Sequence, residues 1–242
     1  MSALVHPTVV RLSRRSLFGR RRGVLLFLLP LALIGFAGLI RLLVGAGEAH
    51  SEVVLFGLGL AVVVPLVALV AGTGVLGPEV DDGSIIYLLA KPVSRHSIVV
   101  SKALVAMGSV ALFAGLGMLV AGVALQAPDL EVAIGYAVGA LTGGVAYTAL
   151  FVLLSVLTRH AVVVGLVYVL IWEGLLGGLL DGVRWLSIRQ WSAAVTAEVS
   201  GEVSVRPDLG LVYALVATAV VTVASLVLAG ERLRSFRLTG EE

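Results

Sequence analysis

Few side chains in this chain of 242 residues could take part in chemistry, and they form no familiar catalytic pattern. The chain has no cysteine, and its four histidines are scattered, so neither a thiolate site nor a histidine-based metal site is expected. A phosphate-binding loop ends in glycine followed by lysine, and neither Lys91 nor Lys102 follows a glycine. The HExxH and GxSxG motifs are missing as well. We therefore expect no enzymatic activity and no cofactor or metal in this chain.

One carboxylate, Glu173, falls inside a long apolar run. An ionisable residue within a membrane span is costly, which makes it a candidate intramembrane polar site. Trp172 beside it suggests instead a depth near the membrane surface, where Glu173 could reach water or pair with Arg184 or Arg189. Both interpretations of Glu173 stay open at this stage.

The longest polar interruption in the first two thirds of the chain runs from Gly77 to Lys102. It begins with acids, continues with a short apolar block, and ends with bases and Pro92, an order typical of a short helix. Helical spacing puts three apolar side chains on one face of that helix: Ile85, Leu88 and Leu89. We predict an amphipathic helix outside the bilayer, within residues 79–95, whose apolar face needs a partner. A helix that lies on the membrane without a partner is the alternative.

Composition places the rest of the chain in a membrane. Hydrophobic residues make up 59% of the sequence and charged residues only 13%, against about 25% charged residues in soluble domains. A membrane-spanning helix needs about 20 apolar residues, and six stretches qualify: 23–45, 53–75, 98–125, 132–157, 161–180 and 211–229. We predict an all-α integral membrane protein of six transmembrane helices, with residues 1–242 forming a single transmembrane domain.

The basic residues predict the orientation of this domain. All lysines and arginines except Arg41, Arg184, Arg189 and Arg206 fall on the side of the two termini and of residues 79–95. The positive-inside rule places that side in the cytoplasm, so we expect a multi-pass protein of a bacterial-type plasma membrane with both termini cytoplasmic. Because the basic residues flank the membrane and do not gather on a soluble face, nucleic acid is not an expected partner.

Several side chains are predicted to anchor the protein to membrane lipids. Residues 7–22 can form an interfacial helix that holds Arg11, Arg14 and Arg15 in the headgroup layer, or they can be a basic flank that only fixes topology. Lys102 is expected to extend its ammonium group to the headgroups. In the external segment 181–208, Trp185 and Trp191 predict a re-entrant or surface-lying helix before the last span.

The order of residues in the polar interruption resembles the signature that follows the second span of type-2 ABC transporter permeases. The matching residues are Gly77-Pro-Glu79, Asp82-Gly83-Ser84, Leu88-Leu89, Pro92-Val93-Ser94-Arg95 and Lys102. The six-span layout, the interfacial helix and the external segment are also similar to that family. Two departures are mild: Ser84 stands where threonine is usual, and Ser101 where glycine is common.

The resemblance implies that residues 79–95 are a coupling segment seated in a groove of a separate ATP-binding cassette ATPase. The implied interface residues are Glu79, Asp82, Gly83, Ser84, Ile85, Leu88, Leu89, Pro92 and Arg95. ATP and magnesium would be bound by that ATPase, present in two copies beneath two permeases. The second permease would be another copy of this chain or a sister protein. Outward export is the direction that the family implies.

Two other functions are weighed against this one. An ATP-independent carrier would be favoured by inverted repeats, and the halves of the sequence show no convincing repeat. A membrane-embedded enzyme would need Glu173 and His160 as reactive groups, and about 19 Å of helix, at 1.5 Å per residue, would separate them.

Overall fold

The structure is a computed structural model that describes residues 20–45, 50, 52–81, 94–126, 130–177, 180–201 and 209–235. Over these residues every regular element is a helix, which confirms the predicted all-α membrane protein. Within the described ranges, five helices are long and apolar enough to cross a membrane: Gly23–Leu43, Glu52–Val80, Arg95–Leu125, Leu130–Leu157 and Leu211–Arg234. A shorter apolar helix, Ala161–Leu176, lies where the predicted fifth span begins. The count of six spans stays a prediction.

The helices are numbered here in chain order. Helix α1 is Arg20–Leu43, α4 is Leu130–Leu157, α6 is Asp181–Arg184, α7 is Ile188–Ser200 and α8 is Leu211–Ser235. The other three contain wider, π-helical stretches. Helix α2 is π-helical over Glu52–Val63 and α-helical over Val64–Asp81. Helix α3 is α-helical over Arg95–Val110 and Leu116–Gln126, with a π-helical turn over Ala111–Gly115. Helix α5 is α-helical over Ala161–Val167 and π-helical over Tyr168–Leu176.

The helices on either side of the predicted coupling segment are longer than the sequence suggested. Glu79 lies in the last turn of α2, and Arg95 is the first residue of α3, so these two residues belong to the long helices and not to a separate short one. Ser94 caps the start of α3: its hydroxyl oxygen accepts the Ser97 backbone N–H at 3.1 Å. The remaining predicted coupling residues, within 82–93, lie outside the described residues.

The first long helix also begins earlier than the predicted span 23–45. Arg20 to Arg22, which we assigned to an interfacial helix, form the first turn of α1. Arg11, Arg14 and Arg15 lie outside the described residues.

Helix α4 lies at the centre of the bundle and contacts α2, α3, α5, α7 and α8. Close approach is possible because glycines face the neighbouring helices: a methyl group on Gly144 would lie 2.7 Å from Val110 of α3. Helix α1 packs outside this core, on α2 and α3, where Pro30 covers Gly117. Near the C-terminal end of α1, Arg41 donates a hydrogen bond of 2.8 Å to the carbonyl of Leu125, so this guanidinium caps the end of α3.

Helix α7 runs antiparallel to α4 along a ridge of small residues. Every fourth residue of α4 is a glycine at this contact, and every fourth residue of α7 carries a hydroxyl; the facing pairs are Gly135 with Ser200, Gly139 with Thr196 and Gly143 with Ser192. The pair nearest the start of α7 therefore lies about 20 Å along α4 from its first residue, at 1.5 Å per residue. Helix α7 is thus inserted beside α4, which favours the re-entrant form of the predicted external helix.

Candidate functional site

The ends of α2 and α3 that flank residues 82–93 are joined by one lysine. The Lys102 ammonium donates hydrogen bonds of 2.6 Å to the Glu79 carboxylate and 2.6 Å to the Val75 carbonyl. Only 1% of Lys102 is exposed. The prediction that Lys102 reaches out to the headgroups is wrong, because position 102 faces the interior of the bundle, where an ammonium group needs acceptors close by.

Glu79 was expected at the interface with the ATPase. Its carboxylate instead forms the ion pair with Lys102, and 26% of its side chain remains exposed. Removing one partner of a mostly buried ion pair strongly destabilises a protein, because the other charge is left buried without compensation. Glu79 and Lys102 therefore act as a strut between the helices that flank residues 82–93.

The start of α3 is also fastened to the end of α8. The His96 ring packs over Gly230, and its Nε2 lies 3.4 Å from the Glu231 carboxylate. Glu231 also pairs with Arg234 one turn along the same helix, at 3.1 Å. Three long helices thus meet at the base of the predicted coupling segment.

Glu173 forms the second polar site, between α5 and the start of α7. The residue is 1% exposed, and both oxygens of its carboxylate accept hydrogen bonds. The donors are the Tyr168 hydroxyl at 3.0 Å, the Ser187 hydroxyl at 2.5 Å, and the backbone N–H groups of Ile188 at 2.9 Å and Arg189 at 3.3 Å. A carboxylate at this place satisfies the free N–H groups of a helix start and offsets its positive dipole.

Glu173 is buried among the helices, and what it accepts from Arg189 is the backbone N–H. Its depth in the membrane stays a prediction. The Arg189 guanidinium lies elsewhere, 5.5 Å above the Phe56 ring of α2. His160 is exposed in the turn before α5, so the structure does not bring it to Glu173 as a membrane-embedded enzyme would require.

The two tryptophans of the external segment have different environments. Trp191 was expected in the headgroup layer, but it is 3% exposed, on the buried face of α7, and its indole N–H bonds to the Trp185 carbonyl at 2.9 Å. That prediction is wrong for Trp191, because the indole fills the contact of α7 with the bundle. Trp185 is 47% exposed and packs edge-on against the Tyr213 ring of α8.

Tyr168 and Ser187 were not predicted as members of the Glu173 site. One signal was available: Ser187 followed three residues later by Gln190 is a helix-start pattern, and the Ser187 hydroxyl does accept the Gln190 N–H, at 3.3 Å. For Lys102 the signal was its position one turn from Ile98 and one turn from Ala106, both of which are buried.

Comparison with known proteins adds the family. The chain matches the family described as "ABC-2 family transporter protein" over residues 24–229, which cover most of α1, all of α2 to α7 and most of α8. A search of the curated proteins found no match. The match covers most of the chain and includes both polar sites. The chain therefore belongs to the ABC-2 transporter family and is a type-2 ABC transporter permease.

Proposed function

We propose that this chain is the membrane-spanning subunit of an ABC exporter, driven by a separate ATPase that docks on residues 79–95. Two permeases, both copies of this chain or one of them a sister protein, line the pathway above two ATPase subunits that bind ATP and magnesium. Membership of the ABC-2 family supports a permease that works with such an ATPase. Export, both cytoplasmic termini and a plasma-membrane location belong to this proposal.

The strut between α2 and α3 is the observation that carries the proposal. Lys102 of α3 holds Glu79 and the Val75 carbonyl of α2 at the base of the segment on which the ATPase would act. A force on that segment would reach both helices together, because a buried ion pair resists separation of its two halves. Contacts of α2, α3 and α8 with α4 would then pass the movement to the centre of the bundle.

The apolar stripe of the segment supports the docking itself. Ile85, Leu88 and Leu89 at helical spacing match an amphipathic helix that lies in an apolar groove of its partner. The ATPase would bias the permease only if it bound one conformation more tightly than the other. ATP binding in that subunit supplies such a difference without any catalytic group in this chain.

The test is co-purification of the permease with the cassette ATPase encoded by a neighbouring reading frame. The double variant Leu88→Asp/Leu89→Asp puts two charges into the proposed groove and is expected to lose the ATPase. Leu238→Asp in the C-terminal tail makes the same kind of change on the same predicted side and is expected to retain it. Equal recovery of the ATPase with both variants would overturn the docking proposal.

A further inference from the structure

The Glu173 site links two parts of the chain that share little other packing. Helix α7 packs on α4, α8 and the first part of α2, and it is tied to α5 at its start. Besides the bonds to Glu173, the Trp172 indole N–H reaches the Leu186 carbonyl, at 3.5 Å. One turn of α5 therefore holds the first residues of the re-entrant helix.

At the contact of α7 with α4, the hydroxyls of α7 donate hydrogen bonds within their own helix. The Ser192, Thr196 and Ser200 protons go to carbonyls one turn earlier in α7 itself, at 3.0, 3.0 and 2.8 Å. The contact with the glycine ridge is therefore made by van der Waals packing of small groups, as between many membrane helices. A movement of α7 along α4 leaves these hydroxyl hydrogen bonds intact, whereas a movement of its start breaks those to Glu173.

We propose that Glu173 is a positioning residue that latches the start of α7 to α5, and that this latch opens during the transport cycle. The first part concerns this chain alone; the second rests on the proposed function. When the latch is closed, α7 stays against the glycine ridge of α4. When it opens, the Tyr168 and Ser187 hydroxyls and the first N–H groups of α7 are released together.

The latch can be tested by thiol labelling, because the chain has no cysteine of its own. Ser192→Cys places a thiol on the buried face of α7, and Ser155→Cys places one in α4 away from α7; the native serines are each 1% exposed. The protein is purified and placed in lipid nanodiscs. Glu173→Ala removes the carboxylate that accepts four hydrogen bonds, and it is expected to speed maleimide labelling at position 192 by about tenfold or more. Labelling at position 155 is expected to stay unchanged.

Two further variants keep the test decisive. Glu173→Gln retains one acceptor oxygen and should give a labelling rate between those of the native residue and alanine. Glu198→Ala removes an exposed carboxylate from α7 itself and should leave the rate unchanged. Faster labelling at both positions 192 and 155 would mean that Glu173 supports the whole fold, and no change at position 192 would mean that it holds nothing; either result overturns the latch.

The second part of the proposal uses the complex with the ATPase and keeps Glu173 intact. Labelling at position 192 is expected to rise by about tenfold when ATP is added, if the four bonds open in each cycle. The same rate with and without ATP, in a complex that hydrolyses ATP, would refute opening during transport. Because the Glu173→Ala comparison needs no ATPase, its outcome is independent of whether the proposed docking is correct.

Discussion

Replacing Lys102 by methionine tests the strut at the base of the coupling segment most sharply. Methionine keeps most of the apolar stem and removes the ammonium, so Glu79 loses its counter-charge and the Val75 carbonyl loses a donor. Breaking a buried ion pair from one side costs about 3–5 kcal/mol. Because 26% of the Glu79 side chain is exposed, the pair is not fully buried, and we expect the lower value, about 3 kcal/mol.

The assay is thermal unfolding of the purified permease in detergent. At about 2–4 °C per kcal/mol for a protein of this size, Lys102→Met should lower Tm by about 6–12 °C. Lys91→Met changes the other lysine of the chain and should have little effect. The double variant Lys102→Met/Glu79→Leu should recover most of the loss, because apolar side chains often replace a buried ion pair at little cost. Equal Tm values for Lys102→Met and Lys91→Met would refute the buried strut.

Three further changes test how the helices are positioned. Gly139→Ala would put a methyl group 2.7 Å from the Ser192 carbonyl and should destabilise the fold by about 1–3 kcal/mol, whereas Gly108→Ala, with open space around it, should not lower Tm. Ser94→Ala removes the hydroxyl that caps the start of α3 and should lower the free energy of unfolding by about 1 kcal/mol. An unchanged unfolding midpoint would show that the cap contributes nothing. Trp191→Phe keeps the buried ring but loses the 2.9 Å bond to the Trp185 carbonyl, and thermal unfolding should show a loss of about 1 kcal/mol, while no loss would argue against that bond.

The membrane class of the fold could be predicted because composition and apolar length act along the chain and need no knowledge of packing. The predicted spans 23–45 and 132–157 fall on α1 and α4 within a few residues. The helical extensions of α2 and α3 at the polar interruption between them were missed, because charged residues such as Glu79 and Arg95 are costly within a span when each is considered alone. The structure places them in helices because Lys102 compensates Glu79, and Ser94 supplies a cap for α3.

The details of the two polar sites depend on which face each helix turns inward. The sequence does not show whether a lysine near a helix end extends outward or points into the bundle. For Lys102 the acceptors on α2 favour the inward position. The partners of Glu173 are harder still to predict. Two of its donors are backbone N–H groups, which become free donors at a helix start only once α7 has formed. Side-chain identity alone does not reveal such partners.

The central claim is that an ATPase moves this permease through the segment between α2 and α3. A photo-reactive amino acid at position 88, introduced in intact cells that also produce the neighbouring cassette ATPase, tests this claim most directly. We predict an ultraviolet-dependent crosslink from position 88 to the ATPase, and none from position 238 in the C-terminal tail. A protein that reaches the membrane and supports ATPase-dependent transport, yet gives no crosslink at position 88, would contradict the account.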